Sequence, residues 1–435
     1  MEIKLKKVNK IEGVIEVPAD KSITHRAVML SSLAEGDSVI KNYLPSDDCI
    51  RTMEAFTQMG AEIRAEGNTL FVKGAGLKLQ KPQKEIYAGN SGTTARILAG
   101  ILAGQNFVSV ITGDESLSKR PMKRVIDPLS EMGAEIESNN GNLPLKIKGK
   151  TPLKSVKYES DKSTAQVKSA VMFAGLYADG ATTYIEPIKS RDHTERMMRA
   201  FGAKIEAGSK SGSKAAGNAV TVYPAEKLIA NEVCVPGDIS SAAFFIVAAL
   251  IVPGSELTIK NVGINPTRDG LIEVLKKMGA DIKLKNVKDI TGEPVADIKV
   301  KYSKLTAVNV DAGLIPRMVD EIPVFSLIAT QAEGITKITG AKELRIKESD
   351  RIAAIRTQFE KLGIEIEELE DGLIINGYPG YELGGAVVES FGDHRIAMTL
   401  SVAALIAQSE ITIKDADCVN ISFPDFYERL KSVCR

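Results

Sequence analysis

Six times along this 435-residue chain an apolar, helix-like run opens just after a polar or charged cluster, near Ser22, Ser91, Gln166, Ser240, Glu321 and His394. The starts lie roughly 70 to 80 residues apart, and self-similarity at a fixed period constrains an architecture before any single residue is interpreted. Each run leads into a short β-like stretch, a loop and a second, more amphipathic helix. Five of the second helices then meet one pentapeptide pattern: Met59-Gly60-Ala61-Glu62-Ile63, Met132-Gly133-Ala134-Glu135-Ile136, Phe201-Gly202-Ala203-Lys204-Ile205, Met278-Gly279-Ala280-Asp281-Ile282 and Leu362-Gly363-Ile364-Glu365-Ile366. The glycine reads as a left-handed helix cap, and the β-branched residue after it begins a strand. The unit is helix, strand, helix, strand, strand, six times over: an α/β (α+β) chain of βαβαββ-type repeats.

The last amphipathic run, Phe426–Val433, has no strands after it, while Ile3-Lys4-Leu5-Lys6 and Gly13-Val14-Ile15-Glu16-Val17 read as strands with no helix before them. The expected closure pairs these N-terminal strands with the C-terminal helix. Val17-Pro18-Ala19-Asp20 recurs as Val235-Pro236-Gly237-Asp238, each copy leading into a repeat helix, which predicts matching crossover strands. The expected domains are residues 1–18 plus 236–435 and residues 19–235, with three repeats in each. Two chain passages would permit a hinge, and the helix N-termini are expected to converge on an interdomain cleft.

Lys plus Arg and Asp plus Glu both number 56, so no global charge argues for nucleic acid or a membrane surface as partner. The longest apolar stretch, 242–252, is too short to span a bilayer. The first seven residues carry no secretory apolar region, so a cytoplasmic chain is expected, acting as a monomer. Cys49, Cys234, Cys418 and Cys434 lack metal-ligand spacing and a disulfide framework, and His25, His193 and His394 are too few for a histidine-rich metal site. The low-complexity segment 208–213 reads as a mobile hairpin tip.

The unusual polar residues gather at helix starts. Lys21-Ser22 and Arg26 open the first repeat helix, Asn90-Ser91-Gly92-Thr93-Thr94 and Arg96 the second, Thr164, Gln166 and Lys168 the third, and Gly237-Asp238 with Ser240-Ser241 the fourth. Asp320-Glu321 and Asp393-His394-Arg395 open the fifth and sixth. The amphipathic helices begin likewise at Lys119-Arg120-Pro121, Ser190-Arg191-Asp192, Thr267-Arg268-Asp269 and Lys347-Glu348-Ser349-Asp350-Arg351. Helix N-termini carry free N–H donors and roughly half a positive charge, so added Lys and Arg make a concentrated anion site. Ser240, Ser241, Thr267 and Asp350 read equally well as ordinary caps, and Asp47-Asp48 read as capping acids. Arg26, Arg96, Lys119-Arg120 and Arg351 oppose the helix dipole and call for a compensating anion. His394 reads either as a capped core histidine or as a functional one. Asp320 and Glu348 stand among these cations, where a carboxylate weakens anion binding and so suggests proton transfer; the plainer alternative is a Glu348–Arg351 salt bridge.

These stretches resemble the 5-enolpyruvylshikimate-3-phosphate synthase family over essentially the whole chain, from Asp20-Lys21-Ser22-Ile23-Thr24-His25-Arg26 to Phe423-Pro424-Asp425-Phe426. Gly89-Asn90-Ser91-Gly92-Thr93-Thr94-Ala95-Arg96, Leu117-Ser118-Lys119-Arg120-Pro121-Met122, Leu344-Arg345-Ile346-Lys347-Glu348-Ser349-Asp350-Arg351 and Gly392-Asp393-His394-Arg395 look like its motifs. The resemblance implies a transferase of the shikimate pathway, leading to chorismate and the aromatic amino acids. It would move the enolpyruvyl group of phosphoenolpyruvate to the 5-hydroxyl of shikimate 3-phosphate, on a fold of two three-repeat domains and with no metal or cofactor. Shikimate 3-phosphate would be held by Lys21, Ser22, Arg26, Thr164, Gln166, Arg191, Asp320 and Lys347, and phosphoenolpyruvate by Lys21, Gly92, Arg120, Gln166, Arg351 and Arg395. Glu348 is expected to serve the methylene proton, Asp320 the 5-hydroxyl, and Lys21 the tetrahedral intermediate.

Three features depart from the commonest family pattern. Ile421 and Ser422 precede Phe423 where many members carry a Lys two residues before Phe-Pro-Asp, and Thr164 stands where Ser is usual. Ala165-Gln166-Val167-Lys168, Arg191-Asp192-His193-Thr194-Glu195 and Asn265-Pro266-Thr267-Arg268 look like the family's second sequence class, many of whose members tolerate glyphosate. Gly92 is expected to leave room beside phosphoenolpyruvate, since a Cβ there would project toward the ligand. The alternatives are the sister enzyme acting on UDP-N-acetylglucosamine, whose reactive Cys is missing from the loop 112–122, and a non-catalytic anion-binding scaffold.

Overall fold

The computed structural model describes residues 1–208 and 218–435; beyond Gly208, the expected hairpin tip lies outside the described residues. The chain forms two compact units: Met1–Pro18, Pro236–Asp289 and Pro294–Arg435 make the first, Ala19–Val235 and Ile290–Glu293 the second. Each has its own apolar core.

The expected helix pairs are present in all six repeats. The first helices are Lys21–Leu33, Gly92–Ala103, Ala165–Gly175, Ile239–Ile251, Ile322–Thr330 and His394–Ala404. They are apolar nearly all round because they are buried on nearly every side; every residue of Ile239–Ile251 is buried. The second helices, Asp47–Gln58, Lys123–Glu131, His193–Ala200, Gly270–Lys277, Arg351–Lys361 and Phe426–Val433, keep more polar and exposed residues. After five of them Gly60, Gly133, Gly202, Gly279 and Gly363 adopt φ between +82° and +102°, the left-handed cap that only glycine enters without strain. At Gly100 a Cβ would collide with the Ala170 carbonyl, so the missing side chain lets two first helices of the second unit approach closely.

Each of the second unit's three four-stranded sheets has one plan. An outer strand runs parallel to its neighbour, and the other pairings are antiparallel, as in Ile86–Tyr87, Val108–Thr112, Asn142–Lys148 and Glu135–Asn139. The outer strands of the first and fourth repeats are exchanged along the chain. Glu12–Glu16 precedes the first repeat helix yet pairs with Glu256–Gly263 of the fourth repeat, while Glu232–Cys234 pairs with Asp37–Lys41 of the first. The N-terminal strands therefore part company. Ile3–Leu5 pairs antiparallel with Ile411–Lys414 in the sixth repeat, and the C-terminal residues are tied by Asn9 and Arg435 backbone bonds and an Ile11–Cys434 bridge.

Candidate active site

In the second unit Asp20 caps the helix Lys21–Leu33, its carboxylate accepting from the Ile23 N–H at 2.8 Å. The Lys21 ammonium lies 3.0 Å from Asp48. Asp48 is therefore a partner of a candidate catalytic lysine, not a cap; Ser46 holds the cap position of Asp47–Gln58. One turn on, buried Arg26 donates from Nε to Thr194 Oγ1 at 2.6 Å, from Nη2 to Ser169 Oγ at 2.9 Å and from Nη1 to the Ser22 carbonyl at 2.9 Å. Burial lowers this guanidinium to about 10, against the opposing pull of Glu195, so it is a cation at neutral pH.

Ser91 caps the helix Gly92–Ala103, accepting from the Thr94 N–H at 3.1 Å. A buried hydroxyl chain fixes this turn: His25 Nδ1 to Thr52 Oγ1 at 2.7 Å, Thr52 Oγ1 to Thr94 Oγ1 at 2.8 Å, and Thr94 Oγ1 to Ser91 Oγ at 2.7 Å. Burial, assisted by Lys21 and Arg26, pushes His25 down to about 3, so it is neutral. Arg96 donates to Gln166 Oε1 at 2.8 Å and to the Pro121 carbonyl at 3.2 Å, and Gln166 Nε2 donates to Thr93 Oγ1 at 3.1 Å. A Cβ on Gly92 would sit 2.7 Å from Arg96 Nη1, so the space beside this glycine already holds the guanidinium that orients Gln166. Arg120 donates to Asn90 Oδ1 at 2.6 Å and Ser116 Oγ at 3.3 Å, and its Nε is buried with no partner among the described residues.

Not every cation of the sequence pattern belongs here. Lys119, 73% exposed, pairs with Glu115 on the surface. Lys168 turns into the interior, 2.9 Å from both Glu186 and Glu195. Thr164 precedes the helix Ala165–Gly175 without capping it, and Ser22, Gln166 and Arg191 are half-buried.

In the first unit Asp320 is ringed by cations: Arg351 Nη1 at 3.3 Å, Arg395 Nη2 at 3.7 Å and Lys347 Nζ at 4.0 Å. Arg395 also donates to the Asp320 carbonyl at 3.3 Å. Arg351, 1% exposed, meets Asp393 at 2.8 Å and Glu348 at 2.7 Å. The anion expected to offset Arg351 is thus supplied by protein carboxylates, and the Glu348–Arg351 bridge coexists with the cationic cluster. Burial disfavours the Arg351 charge, but Asp393 and Glu348 outweigh it and hold the guanidinium above its ordinary range. Burial likewise pushes Asp393 up, and Arg351 overcomes that to leave its carboxyl below the ordinary value. Asp393 also caps the helix His394–Ala404, accepting from the Arg395 N–H at 3.0 Å, and takes the Ser349 hydroxyl at 3.0 Å. Asp350 caps Arg351–Lys361 through the Ala353 N–H. His394 is buried.

Ser240 and Thr267 are not caps. Asp238 caps Ile239–Ile251, while the Ser240 hydroxyl donates to Glu321 and accepts from Arg268 Nη2 at 2.7 Å. The Thr267 hydroxyl donates to Asn265 at 2.7 Å. Sequence reasoning missed Asp48 as the Lys21 partner and Asp393 as a counterion of Arg351. Asp393 is 42 residues from Arg351, and its visible signal was that of a helix cap.

The family model described as EPSP synthase (3-phosphoshikimate 1-carboxyvinyltransferase) matches residues 5–430. The chain belongs to the EPSP synthase family. It is 69% identical over 438 aligned residues to a 3-phosphoshikimate 1-carboxyvinyltransferase of Endomicrobium trichonymphae, covering 100% of both chains. A relative of the same name from Thermoanaerobacter sp. (strain X514) is 52% identical, with 98% of this chain and 99% of the relative covered. The solved EPSP synthase of Acinetobacter baumannii superposes with a TM-score of 0.88 at 41% identity, over 100% of this chain and 98% of that one. Among the described residues no helix is long and apolar enough to cross a membrane.

Proposed function

We propose that this chain transfers the enolpyruvyl group of phosphoenolpyruvate to the 5-hydroxyl of shikimate 3-phosphate, releasing phosphate, by addition and elimination. The observation that carries the reading is Asp320, a carboxylate encircled by Lys347, Arg351 and Arg395, with Glu348 on the same arginine. A pure anion-binding scaffold has no use for two carboxylates there, whereas a reaction that moves protons while holding phosphates does.

In the addition step the 5-hydroxyl oxygen bonds to C2 of phosphoenolpyruvate and gives its proton to Asp320. The methylene carbon takes a proton from Glu348. In the elimination step Glu348 recovers a proton from the resulting methyl group as the C2–O bond to phosphate breaks, and the proton held by Asp320 leaves with the phosphate, which restores both carboxyl groups. Lys21, paired with Asp48, stabilises the tetrahedral intermediate. Arg26, Arg191, Ser22, Thr164 and Lys347 hold shikimate 3-phosphate, and Gly92, Arg120, Arg351 and Arg395 hold phosphoenolpyruvate, with Gln166 serving both. Forked arginine donors suit the phosphate and carboxylate groups of these substrates. The balance of 56 cations and 56 anions gives no electrostatic support to a nucleic-acid or membrane-surface partner.

The test is phosphate release with both substrates, with the enol ether product identified by NMR. Release with UDP-N-acetylglucosamine as acceptor, and none with shikimate 3-phosphate, would sink the reading in favour of the sister activity.

A further inference from the structure

Behind the Arg26 site lies a buried ion cluster with no part in the chemistry above. Lys168, 1% exposed, sends its ammonium to Glu186 Oε1 and Glu195 Oε1, each at 2.9 Å, and to the Ser190 carbonyl at 3.1 Å. Glu186 Oε1 also accepts from the Ser190 N–H at 2.8 Å. Lys168 lies on the helix Ala165–Gly175 and Glu195 on the helix His193–Ala200, so the ion pair ties two helices. Beside it in sequence stand Ser169 and Thr194, whose hydroxyls are 2.6 Å apart and take Arg26 Nη2 and Nε. Ser190, held by both its N–H and its carbonyl, immediately precedes Arg191.

Stability does not account for this cluster. Buried ion pairs repay their desolvation only with excellent geometry and full hydrogen bonding, and apolar side chains of similar volume often serve as well. Here Glu186 Oε2, Glu195 Oε2 and Ser190 Oγ are buried with no hydrogen-bond partner among the described residues, so the bonding there is incomplete. What the cluster supplies, and apolar packing does not, is a directional contact that fixes the spacing and rotation of two helices. Lys168 stays charged, because its two carboxylates outweigh the burial that opposes it.

We propose that Lys168, Glu186 and Glu195 are positioning residues for shikimate 3-phosphate. They hold Ser169 and Thr194 at the spacing that aims Arg26, and hold Ser190 so that Arg191 is presented to the same ligand. The inference rests on the proposed function. The second-class stretches at 165–168 and 191–195 thereby acquire a physical link, since Lys168 and Glu195 are partners in one ion pair.

The test measures shikimate 3-phosphate binding to the full chain by calorimetry, without phosphoenolpyruvate, together with the KM of each substrate. Lys168→Met is expected to weaken shikimate 3-phosphate binding about tenfold or more, and to leave the phosphoenolpyruvate KM within about twofold. Glu195→Gln, which keeps the shape, is expected to weaken it about threefold and serves if Lys168→Met does not fold. The apolar triple variant Lys168→Met, Glu186→Leu, Glu195→Leu is expected to match wild-type thermal stability while binding the ligand as weakly as Lys168→Met. Wild-type affinity in that triple variant would overturn the inference. So would an equal loss of affinity in Val171→Ala, a core change on the same helix. Wild-type protein that binds no shikimate 3-phosphate would remove the functional reading and this inference together; wild-type binding with unchanged variants removes the inference alone.

Discussion

The two units hold the arginines of the candidate site in opposite ways. Among the described residues of the second unit, Arg26 donates to two hydroxyls and a carbonyl, and Arg120 to an amide oxygen and a hydroxyl. Neutral dipoles orient these cations, with carboxylates such as Glu195 acting on the Arg26 charge from beyond its hydrogen-bonded partners. In the first unit Arg351 is met by Asp393, Glu348 and Asp320. There the local charge is close to balanced, and two of the carboxylates lie at the surface of the cluster with 14% and 22% of their side chains exposed. On the proposed reading the second unit attracts anions and the first holds acids and bases in register. The lysines of the second unit do not follow its arginines: Lys21 is paired with Asp48, and Lys168 with Glu186 and Glu195.

The largest expected effect breaks the acid–base side of this contrast. Glu348→Gln should lower kcat by at least about a hundredfold while leaving shikimate 3-phosphate affinity nearly unchanged, because the isostere keeps the cations in place. Near-normal turnover would reduce Glu348 to a salt-bridge partner of Arg351. On the anion side, Arg120→Gln should raise the phosphoenolpyruvate KM by about ten- to a hundredfold, the worth of one charge-assisted contact, with a smaller change in kcat. If kcat falls as steeply as kcat/KM, Arg120 acts on the transition state and the division of labour fails.

Gly92→Ala sharpens the comparison further. Its Cβ would displace Arg96 from 2.7 Å, and with it the Gln166 amide, so the phosphoenolpyruvate KM should rise by roughly tenfold. Glyphosate inhibition, already reduced on the second-class reading, should weaken again. Competition assays against phosphoenolpyruvate would decide this, and an unchanged KM would mean that Arg96 moves aside freely.

The smallest effect is on stability. His25 titrates near 3 in the folded chain and near 6.5 when unfolded, so the unfolded state binds the extra proton first. Its contribution is fully present above pH 6.5 and is lost as pH falls toward 3, by at most about 1.4 kcal/mol per pH unit. Urea unfolding of His25→Gln should therefore show a flatter loss of stability between pH 6.5 and 5 than wild type.

Much of this was legible in the sequence, and the limits are physical. The five glycines after the second helices announce left-handed caps because no other residue takes that conformation cheaply, and each is found there. Clustering of charge at helix starts was legible too, but the direction of each side chain was not. Lys119 and Lys168 sit in the right stretches and turn away: Lys119 ends the short helix Glu115–Ser118, ahead of the helix Lys123–Glu131, and faces solvent, while Lys168 turns to the core because a shift of one residue rotates a helical side chain by about 100°. Counterions distant in sequence, such as Asp393 for Arg351 and Asp48 for Lys21, carried only the signature of caps.

The exchanged strands have a consequence for the order in which the protein takes shape during synthesis. Apart from Ile290–Glu293, the second unit is one continuous stretch ending at Val235, and its last sheet partner, Glu232–Cys234, leaves the ribosome with the rest of it. The strands Ile3–Leu5 and Glu12–Glu16 are made first but find their partners only when Glu256–Gly263 and Ile411–Lys414 have been made. The nascent chain thus carries Glu12–Glu16 unpaired until Glu256–Gly263 has been made, and Ile3–Leu5 unpaired through nearly the whole of translation. Among them Glu12–Glu16 has acidic residues at both ends and Ile3–Leu5 is flanked by charge, features that discourage premature edge-to-edge association while they wait.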